Sequence, residues 1–172
     1  ISLSDLQAAA KTAVLVAVDG TVIGAIGVAD KIKDGSIEAM YEFRASKLEL
    51  AMLTGDSRAT AEAIANEVWF ESVLSGLSPV DKAEALHSKQ IDISGSGYVA
   101  MVGDGINDAA ELAQSDVGMA LGTGTDVAME SADITLISGD LLAAVSALKL
   151  SEATVRTIRQ NLFWAFCYNI LL

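Results

Sequence analysis

Cysteine and basic residues are both scarce in this sequence of 172 residues. Its single cysteine, Cys167, excludes an internal disulfide and is typical of a protein from a reducing compartment. Only 11 lysine and arginine residues stand against 23 aspartate and glutamate residues, which gives a net charge of -12. A chain with so few cations can neutralise few phosphates along a strand, so the composition argues against a nucleic-acid partner. It remains compatible with a single phosphate bridged by a metal ion.

Charged residues are absent from the stretch QNLFWAFCYNILL, residues 160–172, in a chain that is 52% hydrophobic with a mean hydropathy of +0.43. This stretch has about half to two-thirds of the roughly 20 apolar residues that a membrane-crossing helix needs. Two interpretations stay open: a C-terminal helix docked on its own core, or the first part of a transmembrane helix. Arg156 and Arg159 just before it fit a positive cytoplasmic flank.

The order of predicted elements indicates an α/β fold. The segment 12–29 is rich in β-formers and has Asp19-Gly20 in its middle, which predicts a β-hairpin. Beyond a joint near residues 30–34, helices are predicted at 34–47, 57–68, 79–90, 107–114, 124–131 and from about 140, and strands at 48–53, 71–74, 97–102, 117–120 and 133–137. Such alternation predicts an open, mostly parallel, Rossmann-like sheet with helices on both faces. Ligands of these sheets bind beyond the carboxyl ends of the strands.

Two predicted strand ends carry groups that suit an anion. Thr54, Gly55 and Asp56 lie between a strand and a helix, where backbone amides and a hydroxyl can form an anion pocket. The same residues also fit a plain helix cap. Lys82 lies one turn into a helix that Ser78 and Pro79 begin. This lysine is a solvated surface charge unless it points back towards the strand ends.

The stretch GDGINDAAEL, residues 103–112, is the most specific signal in the chain. Gly103 and Gly105 allow a sharp turn and a close approach to a ligand, while Asp104 ends a strand and Asp108 opens a helix. Close carboxylates repel one another unless a cation lies between them. Mg²⁺, which is held by one or two carboxylates plus a phosphate, suits these hard oxygen ligands. Two capping aspartates in a turn are the alternative, but that alternative explains neither glycine.

A hydroxyl, an ammonium and a Mg²⁺ site at three strand ends are groups that position a phosphoryl group and neutralise its charge during transfer. The missing part is a nucleophile on the central strand. The segment VAVDGT, residues 16–21, resembles the Asp-x-Asp-Gly-Thr of haloacid dehalogenase-type phosphatases, yet Ala17 stands where the attacking aspartate belongs. Asp19-Gly20 also suits a hairpin turn better than the end of a strand, so we interpret this match as misleading.

Three stretches together resemble the heavy-metal P-type ATPases, in particular the copper-transporting group. They are MLTGD (52–56), the run from VAMVGDGINDAAELAQ to SADITLI (99–137), and IRQNLFWAFCYN (158–169). The resemblance implies a haloacid dehalogenase-like fold and three segments. Residues 1–29 correspond to the end of the nucleotide-binding domain, residues 30–150 to the phosphorylation domain without its nucleophile segment, and residues 151–172 to a linker helix and a truncated transmembrane helix.

The resemblance also assigns roles to residues of this chain. Thr54, Gly55 and Asp56 contact the phosphate region, and Lys82 steadies the phosphoryl group. The Mg²⁺ site falls to Asp104, Asn107 and Asp108. The family's phosphorylated aspartate lies in Asp-Lys-Thr-Gly-Thr, which does not occur here. ATP is therefore expected as a substrate of the full-length pump, and this chain alone is expected to be inactive.

Tyr168 and Asn169 match a pair that helps copper pumps hold Cu(I), so the resemblance favours Cu(I) as the transported ion. Burying the polar side chain of asparagine in a membrane costs free energy, so an asparagine there is more often functional. Ordinary helix packing of the Tyr-Asn pair is the alternative. Cys167 points about 100° away from Tyr168 around a helix and is a poor candidate ligand. Relatives usually have proline at Ala110 and a small apolar residue at Glu111. Glu111 adds negative charge near the Mg²⁺ site unless the helix turns it outward.

The expected protein is a multi-pass membrane pump with this region in the cytoplasm, acting on Mg²⁺, ATP and Cu(I) together with its remaining domains. Two other functions stay open: a stand-alone haloacid dehalogenase-like phosphatase, and a non-catalytic module that binds Mg²⁺ and phosphate.

Overall fold

The computed structural model describes residues 12–28, 31–103, 108–122 and 126–171. The strands are β1 (Thr12–Val18), β2 (Thr21–Val28), β3 (Ala51–Leu53), β4 (Ser72–Leu74), β5 (Ala100–Gly103), β6 (Val117–Leu121) and β7 (Ile134–Leu136). The helices are α1 (Ser36–Ala45), α2 (Arg58–Val68), α3 (Pro79–Asp92), α4 (Ala109–Gln114), α5 (Asp126–Ser131) and α6 (Leu141–Leu171). The predicted alternation of strands and helices is confirmed, although β3 starts three residues later than predicted.

Strands β1 and β2 form the predicted antiparallel hairpin, in which Val18 pairs with Thr21. Asp19 and Gly20 make its two-residue turn with φ angles of 51° and 80°. Positive φ at both central residues is the mark of a type I′ turn, which Asp-Gly favours. Asp19 is exposed at this tip, between two antiparallel strands. The predicted hairpin turn is therefore confirmed, and the interpretation of VAVDGT as a misleading match stays a prediction.

The parallel strands are divided between two sheets. Strand β3 pairs only with β4, and β5, β6 and β7 form a second sheet in that order. All three pairings are parallel. Within the described ranges, one edge of β3 and one edge of β5 have no strand beside them. An unpaired edge presents backbone N–H and C=O groups that another strand can use.

Helices cover both faces of the sheet β5-β6-β7, because its side chains alternate between two apolar clusters. Met101 and Ala120 face the first cluster, where Leu86 of α3 and Leu112 of α4 are also buried. Leu121 faces the second cluster. The other members of this second cluster include Phe43 of α1, Val102 of β5, Leu136 of β7 and Ala144 of α6. The predicted parallel sheet with helices on both faces is confirmed.

Leu53 at the end of β3 packs against the first cluster, to which Met101 of β5 also belongs. The two parallel sheets therefore share a core, although no described strand joins them. This packing brings the carboxyl ends of β3 and β5 into the same part of the molecule.

Helix α6 packs against neighbouring residues at its start and is exposed along the rest of its length. Leu142 lies against Gly35, which has a φ of 81°, and the Lys149 ammonium lies 2.6 Å from a carboxylate oxygen of Glu42 on α1. From residue 150 to 171 every side chain is exposed except that of Cys167, which is half-buried. The interpretation of this end as a helix docked on its own core is wrong. Among the described residues, no helix combines the length and the apolar character needed to span a membrane.

Candidate functional site

The loop after β3 is organised by its own polar side chains. The Thr54 hydroxyl donates to Oδ2 of Asp56 over 2.8 Å, and the Asp56 N–H donates back to Thr54 Oγ1 over 3.1 Å. Gly55 lies close to the loop after β4, because a Cβ added to it would come 3.3 Å from the Leu77 carbonyl oxygen. Hydroxyl, carboxylate and backbone amide thus lie together where the strand ends.

The N-terminus of α2 is capped by the residue that follows Asp56, not by Thr54 or Asp56 themselves. Ser57 caps α2, and its Oγ accepts a hydrogen bond from the Thr60 N–H at 3.3 Å. Thr54 and Asp56 do not serve this cap. The cap of α2 is therefore made by Ser57, and the anion-binding role of Thr54 and Asp56 stays a prediction.

Helix α3 begins with the predicted Ser78 cap, which a capping box reinforces. Ser78 Oγ accepts the Asp81 N–H at 3.3 Å, and the Ser78 N–H donates to Asp81 Oδ2 over 2.9 Å. Pro79 occupies the first turn, where its missing N–H has no intrahelical partner to lose. This cap fixes the start of the helix one turn before Lys82.

The capping box predicts a pH-dependent stability at α3. Hydrogen bonding by the Ser78 hydroxyl, and then by its backbone N–H, lowers the pKa of Asp81 from 3.8. A lowered folded-state pKa stabilises the fold above the unfolded value, and this stability is lost as the pH falls through the folded pKa. In thermal unfolding, we expect Asp81→Asn to lower the Tm at neutral pH and to match the parent chain in acid well below pH 3.8.

Asp92→Asn is the matched control, because Asp92 lies at the other end of α3. A carboxylate near a helix C-terminus interacts unfavourably with the helix dipole, so its removal should not lower the Tm. An equal loss in both variants at neutral pH would show that the capping box does not stabilise α3.

Lys82 points back to the strand ends, as its possible functional role requires. Its Nζ lies 2.9 Å from Oδ1 of Asp108, and the two side chains are 16% and 15% exposed. Asp108 is the N-cap residue of α4, yet its side chain makes no capping hydrogen bond. The carboxylate is thus directed towards α3 and its ammonium, which a plain capping role does not explain.

Glu111 lies one turn beyond Asp108 and is completely buried, with 0% exposure. Within the part of the chain that the structure describes, neither of its carboxylate oxygens has a hydrogen-bond partner. Helix α4 therefore does not turn this side chain outward. The sequence signal for this residue is its departure from the small apolar side chain that the resemblance places there.

The predicted site residues are brought together in part. Thr54, Asp56, Lys82 and Asp108 lie at the carboxyl ends of the two parallel sheets or on the helices that follow them. Asp104 and Asn107 lie outside the described residues. Their predicted contribution to the Mg²⁺ site therefore stays a prediction.

The proposed Cu(I) pair lies far along α6. Tyr168 is 66% exposed, and the Asn169 amide Nδ2 donates to the Ala165 carbonyl oxygen of the preceding turn over 2.7 Å. This bond uses the donor of the amide. Oδ1 is the atom of Asn169 that could act as a metal ligand.

The donors at the strand ends fit Mg²⁺ in their chemistry. Asp108 offers a hard carboxylate oxygen beside Lys82, at the place where a parallel sheet receives its ligand. The described residues contain no group of three or more His, Cys, Asp or Glu side chains that could hold a metal ion by themselves. Mg²⁺ does not need such a cage, because phosphate oxygens and water commonly complete its shell.

Curated relatives of this chain are copper pumps. The chain is 45% identical over 168 residues to the copper-exporting P-type ATPase of Staphylococcus saprophyticus and 47% identical over 169 residues to that of Bacillus subtilis. Each match covers 98% of this chain and 21% of the relative. The chain therefore spans about a fifth of the length of these curated relatives.

Solved structures of other ATPases are also similar to this chain. A zinc-transporting PIB-type ATPase in its E2.Pi state matches with a TM-score of 0.79 and 37% identity, over 92% of this chain and 26% of that protein. A catalytic domain of the CPx-ATPase CopB-B matches with a TM-score of 0.62 and 29% identity, over 74% of this chain and 48% of that structure.

One protein family matches the sequence of most of this chain. The family of haloacid dehalogenase-like hydrolases matches residues 2–116. This range contains the loop after β3, the start of α3 and the junction of β5 with α4. On this match, and on the parallel sheet whose strand ends carry these polar groups, the chain belongs to the haloacid dehalogenase-like hydrolase family.

Proposed function

We propose that this chain is part of a Cu(I)-exporting P-type ATPase and supplies the Mg²⁺- and phosphate-binding part of its phosphorylation domain. Residues 30–150 form this domain without its nucleophile segment, and residues 1–29 are the end of the nucleotide-binding domain. Residues 151–172 lead towards the membrane, and the catalytic region faces the cytoplasm. The identity with copper-exporting relatives over 98% of the chain supports this assignment.

The observation that carries the proposal is the ion pair at the carboxyl ends of two incomplete parallel sheets. Lys82 follows β4 of one sheet and Asp108 follows β5 of the other, and their side chains meet at 2.9 Å. One edge of β3 and one edge of β5 have no partner among the described strands. We propose that one further parallel strand, from another segment of a longer protein, lies between them and carries the attacking aspartate.

Each residue then has a chemical role in transfer of a phosphoryl group from ATP to that aspartate. The Thr54 hydroxyl and the Asp56 N–H, which now bond within their own loop, would exchange those bonds for phosphate oxygens. Together with the Gly55 N–H they would stabilise the anion at the strand end. The Lys82 ammonium offsets negative charge on the phosphoryl group. Asp104 and Asp108 would hold Mg²⁺, with Asn107 completing the site. The bound ion would neutralise charge that develops on the transferred group.

Cu(I) is the proposed cargo, rather than Zn²⁺. The copper-exporting relatives are 45–47% identical to this chain, against 37% for the zinc-transporting structure. Tyr168 and Asn169 supply oxygen atoms alone, whereas Cu(I) prefers soft sulfur ligands. The pair therefore contributes to a site whose sulfur ligands come from another part of the pump.

A chimera tests the proposal most directly. The matching fifth of the Bacillus subtilis copper-exporting ATPase is replaced by this chain, and the chimera is produced in a copper-sensitive host. We expect copper resistance to be retained, together with a phosphorylated protein formed from radiolabelled ATP. Asp108→Asn in the chimera should reduce the phosphorylated form at least tenfold, because it removes a charge from the Mg²⁺ site.

Glu84→Gln is the matched control for the chimera, because it removes an exposed carboxylate from the same α3 that carries Lys82. It should leave phosphorylation unchanged. A chimera that folds and enters the membrane but is never phosphorylated by ATP would contradict the proposal.

The stand-alone phosphatase is tested with the 172-residue chain itself. We expect no hydrolysis of p-nitrophenyl phosphate, since Ala17 cannot attack phosphorus and Asp19 lies in a hairpin turn. Turnover that is lost in Asp19→Asn, or that survives Asp104→Asn, would favour the phosphatase instead. Binding of Mg²⁺ and phosphate to a chain whose chimera is inactive would favour the non-catalytic module.

A further inference from the structure

Glu111 is a buried acidic group that the proposed mechanism does not use. It is fully buried, and neither carboxylate oxygen has a hydrogen-bond partner among the described residues. Leaving such a group unpaired is unfavourable, and in native structures each case calls for an explanation. A group that is unpaired in one state of a protein can find its partner in another state.

The elements packed against α4 contain few cations that could serve Glu111. These elements are α3, α5, β5 and β6. Among them only α3 carries lysine or arginine, namely Lys82 and Lys89. Lys89 is bound to Glu49 at the exposed surface, at 3.2 Å. Lys82 is therefore the half-buried cation on the elements that pack most extensively against α4.

Asp108 and Glu111 are three residues apart around the start of α4. Residues at this spacing lie on the same side of a helical turn, with Cβ atoms about 5–6 Å apart. Lysine carries its ammonium on a flexible four-carbon stem. The Lys82 ammonium, now on Asp108, therefore has the Glu111 carboxylate one helical turn from its present partner, and the torsions of its stem can rotate.

We propose that Glu111 is a positioning residue for Lys82, to which the ammonium moves when Asp108 binds a divalent cation. This inference rests on the proposed Mg²⁺ role of Asp108. Without Glu111, Mg²⁺ binding would leave Lys82 with no carboxylate in the half-buried site. With Glu111, the ammonium keeps a carboxylate partner beside α4.

The test is a Mg²⁺ titration of the 172-residue chain by isothermal calorimetry, in a double-mutant cycle. We expect Glu111→Gln to weaken Mg²⁺ binding about tenfold, which corresponds to about 1.4 kcal/mol. In a Lys82→Met background the same change should have little effect, because no ammonium remains to be placed. A simple attraction between the Glu111 carboxylate and Mg²⁺ predicts the same loss in both backgrounds and would overturn the proposal.

A second measurement follows the lysine itself. In ¹³C,¹⁵N-lysine-labelled chain, the Lys82 side-chain signals are assigned by their absence from Lys82→Met. With saturating Mg²⁺, we expect slow exchange of the ammonium protons with water in the parent chain and fast exchange in Glu111→Gln. Fast exchange in both would overturn the inference. Absence of Mg²⁺ binding by the parent chain would instead contradict the proposed function.

Discussion

Replacing Lys82 by methionine should destabilise the fold by about 3 kcal/mol, because it leaves the Asp108 carboxylate half-buried without its cation. Methionine keeps most of the apolar stem, so the loss reports on the charge rather than on packing. The uncompensated Asp108 would also lie one turn from the buried carboxylate of Glu111. For a chain of this length we expect the Tm to fall by about 6–12 °C. Thermal unfolding followed by circular dichroism measures this change.

Lys89→Met is the matched control on the same helix. Its ion pair with Glu49 joins side chains that are 49% and 80% exposed, and exposed pairs contribute less than about 1 kcal/mol. The double variant Lys82→Met/Asp108→Asn should recover most of the lost stability, because it removes both charges. Equal losses for Lys82→Met and Lys89→Met would show that the half-buried ion pair does not stabilise the fold.

Replacing Glu111 by methionine should raise the stability by about 2 kcal/mol. The change removes two buried oxygens that have no hydrogen-bond partner in the described ranges and keeps a side chain of similar volume. The expected rise in Tm is about 4–8 °C. Urea denaturation gives an independent measurement, in which the midpoint should move up and the slope should stay the same.

Glu84→Met is the control for this gain, because Glu84 is exposed on α3 and its replacement should change the stability by less than about 0.5 kcal/mol. A Glu111→Met variant that is less stable than the parent chain would mean that the carboxylate has a partner in solution. If the proposed exchange of Lys82 is correct, the stabilised variant binds Mg²⁺ more weakly. Stability and cation affinity then move in opposite directions at one residue.

Much of the fold is predictable from the sequence because its signals are local. Asp19-Gly20 predicts the hairpin turn, and Ser78-Pro79 predicts the start of α3. The alternation of apolar runs with helical segments predicts the parallel strands. These features depend on backbone preferences of neighbouring residues, which the sequence carries directly.

The features that the sequence did not predict depend on distant contacts. The division of the parallel strands into two sheets is set by pairing between segments far apart in the chain, and the pattern of apolar residues is the same for a paired and an unpaired edge. The burial of Glu111 depends on how closely α3, α5 and the sheet pack around α4. The sequence did not predict where the Lys82 side chain points. A lysine one turn into a helix has the same sequence pattern whether it faces water or Asp108.

A rotation of helix α6 about its first turns would displace its far end. Its first turns are clamped to α1 through Leu142 and the Lys149–Glu42 ion pair, and the side chains beyond them are exposed. The 22 residues from Leu150 to Leu171 extend about 32 Å at a rise of 1.5 Å from each residue to the next. A tilt of about 10° at the clamp would carry the aromatic end through roughly 5–6 Å, given that length. A small rearrangement around α1 is thereby amplified at Tyr168 and Asn169.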